Sequence, residues 1–253
     1  MPVKLLVIGV PESGLEEMYS LMPQLLPLSK GTWVNQWEGD VQDELLKLKP
    51  GEIRTGYLYH SETVKRFMDA QRIRRIFMVR DPRDMILSML FSILRDPKHP
   101  HQTYFRQHLK SMNERLLRMI TGFMESRAVS KQFGEVQIGY GDINEHYNRY
   151  LRWMDDPGTL TVRYEKAADD PKLLHEELAR IVDYLWPDLQ DGERTLTKEQ
   201  YIQRIGQLKP EKPKHILPPG GWKKAYTPET IAAFKKVAGE LLIYLGYEQD
   251  FDW

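Results

Sequence analysis

The chain has 253 residues, enough to bury a sizeable core, and we expect one domain that spans residues 1–253. Its 36 basic and 36 acidic side chains balance, so the overall charge favours neither a nucleic-acid nor an anionic-membrane partner. The absence of cysteine excludes disulfides and thiolate chemistry and is typical of a reducing compartment, so we expect a cytoplasmic location.

No apolar stretch predicts a membrane-spanning helix. The longest apolar-rich stretch, residues 85–94, is about half of the ~20 residues needed to cross a bilayer. The apolar start at residues 1–10 is too short for a secretory signal and leads into a loop without a cleavage site.

The first predicted strand covers residues 5–10 and leads into a loop before a helix. Gly9 and Gly14 have the glycine spacing of a phosphate-binding loop, in which backbone N–H groups at a helix N-terminus face an anion. Leu15 and Glu16, however, occupy the positions where a nucleotide-hydrolysing loop needs lysine and then serine or threonine. Three acidic side chains surround the loop: Glu12, Glu16 and Glu17.

Each of these acids would repel an anion ~5 Å away by a few kcal/mol at an effective dielectric near ~20. The pattern therefore disfavours an ATPase or GTPase. A plain strand, turn and helix, with glycines for geometry and acids favoured by the helix dipole, is the alternative interpretation.

Short elements follow. We expect strands at Trp33–Trp37 and Ile53–Tyr59, a turn across Leu45–Glu52, and a helix capped by Ser61. His60 lies at this strand-to-helix junction and is a candidate general base, because histidine titrates near neutral pH. A packing or surface role for His60 is the alternative.

Residues 74–90 form the most informative stretch. The apolar run Ile76–Val79 predicts a strand buried on both faces of a parallel sheet, which ends at Arg80. Asp81 and Pro82 then provide a helix cap and a first helical residue. Ligands bind at the carboxyl ends of strands in open α/β sheets, and the planar fork of arginine donors suits a phosphate.

The predicted helix after this turn carries Asp84 and Ser88 four residues apart, so they share one helical face. Spacing alone leaves two interpretations open. Either Arg80 and this helix bind a phosphate, or Arg80 and Asp81 pair at a helix start.

From Asp96 to Glu135 we expect a loop rich in proline and histidine, then a long amphipathic helix over Leu109–Ser126. His99 and His101 lie two residues apart, but no cysteine or carboxylate cluster is nearby in the sequence. We therefore expect no metal site there.

The remaining predicted elements alternate between helices, a strand and loops. They are a helix over Asp142–Met154, a strand over Thr159–Tyr164, a helix over Leu173–Leu185 and a flexible, basic segment over Lys198–Lys214. Pro218–Lys224 is then a turn with an aromatic tip and two cations, and Thr227 caps the final helix. The turn is a surface loop or, beside a bound anion, a lid.

Taken in order, these segments resemble the sulfotransferases that use 3'-phosphoadenosine 5'-phosphosulfate (PAPS), particularly bacterial members of the cytosolic-type family. The strongest part is VRDPRDMILS, which is similar to the family's 3'-phosphate motif. TLTVRYEKAADDP and GGWKKAYTPE follow in the family's order. The resemblance covers essentially the whole chain and implies an α/β, P-loop-like, three-layer domain with a central parallel sheet flanked by helices.

The resemblance also implies roles for particular residues. Arg80 and Ser88 would hold the ribose 3'-phosphate, and Tyr164 would lie near the adenine. Gly220 and Trp222 match the family's closing loop. The residues left to hold the phosphosulfate of the PAPS cofactor, which becomes adenosine 3',5'-bisphosphate (PAP) after transfer, are Pro11, Ser13 and Gly14.

Several positions depart from the family pattern. PESGLEE occupies the place of PKSGTTW, so Glu12 replaces the lysine that holds the phosphosulfate and stabilises the leaving group. TGYLYHS aligns with GHLPYS, which puts Tyr57 in the position of the base histidine and leaves His60 three residues on. The residues around His215, Ile216 and Leu217 replace the usual arginine-lysine-glycine run.

The chemistry implied is direct transfer of a sulfuryl group to the hydroxyl or amine of a small molecule, with His60 as candidate base. A catalytically impaired homologue that binds a nucleotide or a partner protein is the alternative, since a fold does not guarantee an activity. A small-molecule kinase is disfavoured by the missing loop lysine. Homodimerisation stays open.

Overall fold

The computed structural model describes residues 2–37, 39–168, 170–190, 196–208 and 217–253. They form two compact units, Met1–Arg80 with Arg149–Lys214 and Asp81–Asn148 with His215–Trp253. One division falls directly after Arg80, the residue predicted to end the informative strand. A single domain over residues 1–253 stays a prediction.

The strands are β1 (Lys4–Gly9), β2 (Ser29–Lys30), β3 (Glu52–Gly56), β4 (Ile73–Val79), β5 (Phe123–Met124), β6 (Gly139–Tyr140) and β7 (Thr159–Arg163). The helices are α1 (Leu15–Leu25), α2 (Val41–Leu46), α3 (Glu62–Ala70), α4 (Pro82–Arg95), α5 (Gln102–Gln107), α6 (Met112–Thr121), α7 (Arg127–Gln132), α8 (Ile143–Asp155), α9 (Tyr164–Ala168), α10 (Pro171–Leu189), α11 (Lys198–Ile205), α12 (Trp222–Ala225) and α13 (Pro228–Tyr244).

A five-stranded parallel sheet forms the centre of the first unit, with the strand order β2-β3-β1-β4-β7. In its register, Leu6 of β1 lies between Arg54 of β3 and Arg75 of β4. Parallel strands align their carboxyl ends, so the residues that follow β1, β3, β4 and β7 meet at one edge of the sheet.

The central strands are buried on both faces, as their apolar runs predict. Leu5 and Val7 of β1 share a hydrophobic cluster with Met18 of α1, Leu178 of α10 and Tyr201 of α11. Their neighbours on the opposite face of the strand are equally buried. The predicted α/β fold, a central parallel sheet flanked by helices, is confirmed.

Helix starts in the first unit follow the capping residues in the sequence. The Ser61 side chain accepts a hydrogen bond from the Val64 N–H at the start of α3, which confirms its predicted cap. Asp40 and Asp170 cap α2 and α10 in the same way.

Two predictions in the first unit are wrong. Trp33–Trp37 is not a strand; the strand is Ser29–Lys30, and beyond it Val34 still donates its N–H to the Thr55 carbonyl. The segment predicted as flexible contains helix α11, because Thr197 and Gln200 form a capping box and an apolar face is buried. Residues 209–214 of that segment lie outside the described residues.

Other boundaries shift. The region predicted as a turn over Leu45–Glu52 begins inside α2, and the strand predicted to end at Tyr59 ends at Gly56. Tyr164, predicted as the end of a strand, begins helix α9. Helices α2 and α9 lie outside the predicted elements, whereas β1, α1, β3, α3, β4, α4, β7 and α10 follow in the predicted order.

The second unit is mostly helical. In it α4 contacts α5, α6 and α12, while α6 also contacts α13. Asp81 caps α4 by accepting from the Arg83 N–H, and Thr227 caps α13 within a capping box, as predicted. The helix predicted over Leu109–Ser126 is shorter, because Gly122 has φ 68° and ends α6 before the antiparallel pair β5–β6.

In the described part of the chain, no helix combines the length and hydrophobicity that a bilayer crossing requires. The same residues contain no group of three or more histidine, cysteine, aspartate or glutamate side chains that could hold a metal ion.

Candidate functional site

The loop between β1 and α1 is tightly folded. The Ser13 N–H donates to the Val10 carbonyl at 3.2 Å, and both Glu12 and Gly14 have positive φ, 62° and 87°. A Cβ on Gly14 would lie 2.3 Å from the Tyr164 ring, so the turn needs glycine both for its backbone and for its contact. The loop is thus packed directly against the first residue of α9.

Arg80 follows β4 and is fully buried. Its Nη1 donates a 2.7 Å hydrogen bond to the backbone carbonyl of Glu12, and its guanidinium carbon lies 4.7 Å from the centre of the Tyr164 ring. The guanidinium is therefore held by a carbonyl on one side and an aromatic face on another. The structure brings together four of the residues that the sequence proposes: Ser13, Gly14, Arg80 and Tyr164.

Ser13 is also buried, and its Oγ has no hydrogen-bond partner among the described residues. A Cβ on Gly9 would lie 2.4 Å from this oxygen, so glycine at position 9 makes room for the hydroxyl. A buried hydroxyl without a partner costs free energy unless a ligand or water supplies one. Pro11, the remaining predicted loop residue, is half-buried.

Glu17 lies in the first turn of α1, and both of its carboxyl oxygens are buried without a hydrogen-bond partner in the described chain. The pKa of Glu17 is raised to about 7, chiefly by burial; its own backbone N–H and Arg80 act to lower it, and the charges of Glu16 and Glu12 act to raise it. Near neutral pH the loop therefore carries a carboxyl that exchanges between neutral and charged forms.

Tyr57, which the family resemblance places at the base position, lies just beyond β3. Burial and the Glu12 carboxylate raise the pKa of Tyr57 to about 12. Its ring packs edge-on against Trp33, with the ring centres 4.8 Å apart. A phenol that is neutral at pH 7 is a poor proton acceptor.

His60 packs against α8. Its ring lies edge-on to Trp153 with centres 4.5 Å apart, and its backbone N–H donates to the Arg149 carbonyl. Burial lowers the pKa of His60, so the imidazole is neutral at pH 7. Its Nδ1 is buried, with no hydrogen-bond partner in the described residues.

In the second unit, α4 holds the turn before α12. The buried Ser88 Oγ accepts from the Leu217 N–H at 3.3 Å. The Asp84 carboxylate accepts from the N–H groups of Gly220 at 2.6 Å and Trp222 at 2.8 Å. The face of α4 predicted from the spacing of Asp84 and Ser88 is therefore confirmed.

Arg83 is a residue whose contacts the sequence did not reveal. Its guanidinium carbon lies 3.9 Å from the ring centre of Trp222 and 4.6 Å from that of Trp253. It also forms a buried ion pair with Asp81, at 2.7 Å, and a partly buried one with Glu248. The RDPRD pattern indicated charged residues here, but three of these partners, Trp222, Glu248 and Trp253, lie more than 130 residues away in sequence.

The model of the sulfotransferase domain family matches residues 57–245 of the chain. The chain belongs to the sulfotransferase family. The match includes Arg80, Ser88, Tyr164, Gly220 and Trp222, and it begins after the loop that carries Glu12. No curated protein sequence matches the chain.

Solved structures show the same sulfotransferase fold. A mouse sulfotransferase, SULT7A1, complexed with PAP has a TM-score of 0.59 and 15% identity over 97% of this chain and 85% of its own. A retinol dehydratase in complex with androsterone and inactive cofactor PAP has a TM-score of 0.52 and 16% identity over 96% of this chain and 82% of its own. The match to the domain family confirms the predicted family, and these structures confirm the predicted fold.

The residues that the family resemblance singles out are divided between the two units. Pro11, Ser13, Gly14, His60, Arg80 and Tyr164 belong to the first, and Ser88, Gly220 and Trp222 belong to the second. Their roles stay predictions. Of the altered closing-loop residues, His215 and Ile216 lie outside the described residues.

Proposed function

We propose that the chain binds PAPS and PAP at the carboxyl edge of the first unit's sheet, and that it transfers the sulfuryl group to a hydroxyl or amine of a small molecule. The observation that carries the proposal is the position of Arg80. This buried guanidinium contacts both the glycine-containing loop and the ring of Tyr164.

Arg80 supplies donors for the 3'-phosphate, because an arginine fork can bind two phosphate oxygens at once. Tyr164 offers a ring face for the adenine. The Ser13 hydroxyl and the backbone N–H groups at the start of α1 are donors for the phosphosulfate, and the helix dipole there favours an anion.

In the transfer, a lone pair of the acceptor attacks sulfur, and the bond between sulfur and the bridging oxygen of the phosphosulfate breaks. The electron pair of the broken bond stays on the bridging oxygen, which leaves as part of PAP, and the acceptor's proton passes to a base. His60 is the base we propose, since its neutral imidazole can accept a proton at pH 7.

A second candidate is a family member that binds the nucleotide but transfers sulfuryl groups poorly. The observation that favours it is Glu12, a carboxylate where the family resemblance places the lysine that neutralises the leaving group. The acidic pair Glu16 and Glu17 adds to the negative charge near the loop. Positioning and charge neutralisation dominate this type of chemistry, so a carboxylate in place of the lysine lowers the transfer rate strongly.

Calorimetric titration with PAP tests nucleotide binding. Arg80→Lys keeps the positive charge but removes the planar fork that contacts Glu12 and Tyr164. We expect PAP to bind this variant about 10- to 100-fold more weakly than wild type. Arg204→Lys, an exposed change on α11, is the matched control and leaves the affinity unchanged.

Absence of PAP binding by the wild type, or equal affinity in Arg80→Lys, contradicts the proposal. Turnover of labelled PAPS with a panel of phenols, alcohols and amines then separates the two candidates. Transfer by the wild type supports the enzyme, and PAP binding without transfer supports the impaired homologue. Homodimerisation and a cytoplasmic location stay predictions.

A further inference from the structure

The carboxylate of Asp84 holds one short segment through its backbone. We call residues 217–222 the closing segment, because Gly220 and Trp222 match the family's closing loop. One carboxylate oxygen of Asp84 accepts the Gly220 N–H, and the other accepts the Trp222 N–H. Asp84 is 1% exposed; its bond to Trp222 is buried, and its bond to Gly220 is partly buried.

The geometry of the closing segment suits these two bonds. Gly220 has φ 77°, a conformation that other residues rarely adopt, and a Cβ there would meet nothing within 4 Å. Glycine at this position is therefore required by the backbone turn and not by lack of space. The turn directs two N–H groups, two residues apart, to a single carboxylate.

The same face of α4 makes a third contact with the closing segment. One turn after Asp84, the Ser88 Oγ accepts the Leu217 N–H. A hydroxyl that accepts one bond still has its own proton to donate. Ser88 can thus bind the closing segment and donate to a phosphate oxygen at the same time.

The side chain of Trp222 is fixed as well. Its ring is stacked by Arg83, and it lies edge-on to Trp253 with the ring centres 5.7 Å apart. The backbone of the closing segment is anchored by Asp84, and its aromatic tip by Arg83.

A negative charge next to a predicted phosphate ligand needs an explanation, because it repels the phosphate. Both Asp84 oxygens are occupied by N–H donors, which offset part of that charge. The remaining repulsion of the phosphate is explained if the Asp84 carboxylate makes contacts that a neutral side chain cannot make. Asparagine offers one acceptor oxygen, and its NH₂ group would face an N–H donor.

We propose that Asp84 is a positioning residue, which fixes the closing segment in the conformation that binds the nucleotide. The part of this inference that concerns the nucleotide rests on the proposed function. The part that concerns the segment rests on the two hydrogen bonds alone.

Amide hydrogen exchange and PAP titration of Asp84→Asn test the two parts separately. We expect exchange of the Gly220 and Trp222 amides to accelerate about 10- to 100-fold, because two charge-assisted bonds are lost or weakened. We also expect PAP to bind Asp84→Asn about tenfold more weakly than wild type. The amides other than those of Gly220 and Trp222 should exchange at wild-type rates. Asp142→Asn is the matched control, since Asp142 caps the Glu145 N–H in the same unit.

Unchanged exchange at Gly220 and Trp222 in Asp84→Asn overturns the anchoring. Accelerated exchange with unchanged PAP affinity overturns the positioning role and leaves a purely structural one. A wild type that fails to bind PAP overturns the nucleotide part together with the proposed function. If Asp84→Asn does not fold, the wild type decides: unprotected Gly220 and Trp222 amides contradict the anchoring, and protected ones support it.

Discussion

Replacing Glu12 by lysine reverses the charge at the loop position where the family resemblance places a lysine. Glu12 lies in the turn that contacts Arg80, and its carboxylate is close enough to raise the pKa values of Tyr57 and Glu17. A unit charge ~6 Å from a bound phosphate contributes roughly 3 kcal/mol at an effective dielectric near ~20. Glu12→Lys turns that repulsion into attraction, a swing of at most about 6 kcal/mol.

Glu12 is half-buried, so solvent screening reduces this figure. We expect a net gain of about 2–3 kcal/mol, which corresponds to roughly 30- to 150-fold in kcat/KM for PAPS. The backbone cost of the positive φ at position 12 is the same for glutamate, glutamine and lysine, so it cancels in the comparison. Glu12→Gln removes the repulsion alone and gives about half of the gain in free energy.

The assay measures transfer of a labelled sulfuryl group from PAPS to a panel of phenols, alcohols and amines, together with PAP affinity by calorimetry. Glu176→Lys, on the exposed face of α10, changes the net charge by the same amount and serves as the control. Activity should rise in the order wild type, Gln, Lys. Equal activity in all three, or a fall in Glu12→Lys, would refute the electrostatic reasoning.

Two further variants test the titrating groups. Since the pKa of Glu17 rises from 4.5 to about 7 on folding, the folded state keeps a proton that the unfolded state releases. The stabilisation that protonated Glu17 provides is therefore present below about pH 4.5 and is lost as pH rises to about 7. In denaturant unfolding, Glu17→Gln should be more stable than wild type by at most about 3 kcal/mol at pH 8 and equally stable at pH 4.5. A stability difference that does not change with pH contradicts this. His60→Gln should lower the turnover of PAPS about 100-fold with PAP affinity unchanged, whereas Tyr57→Phe should change turnover little; a reversed order in steady-state kinetics assigns the base to Tyr57.

The parts of the fold with local signals were predictable from the sequence. The apolar run Ile76–Val79 indicated β4, and Asp81 with Pro82 indicated the start of α4. Capping chemistry depends on neighbours within four residues, so a single sequence contains it. Thr197 and Gln200 carried the same type of signal for α11, but the polar composition of the segment favoured the prediction of a flexible chain.

Long-range contacts were not predictable in this way. One partner of the Arg80 guanidinium is a backbone carbonyl 68 residues away, and a pattern of side chains does not show which backbone atoms are contacted. The two N–H groups that bind Asp84 are more than 130 residues away and depend on a glycine turn. The sequence therefore indicated which residues carry charge, and the fold determined which groups they contact.

The acidic loop shows the same limit. Three glutamates near Gly14 indicated repulsion of an anion, but the sequence did not distinguish their environments. Glu16 is exposed, whereas the Glu17 carboxyl is buried and its pKa is raised. Burial, which depends on the packing of α1, sets the charge that the loop carries at neutral pH.

A crystal structure of the protein with PAP bound tests the central claim most directly. We predict the 3'-phosphate within hydrogen-bond distance of the Arg80 guanidinium, and the 5'-phosphate at the Ser13 hydroxyl and the N–H groups that begin α1. A nucleotide bound elsewhere, with Arg80 bonded only to protein groups such as the Glu12 carbonyl, would contradict the account.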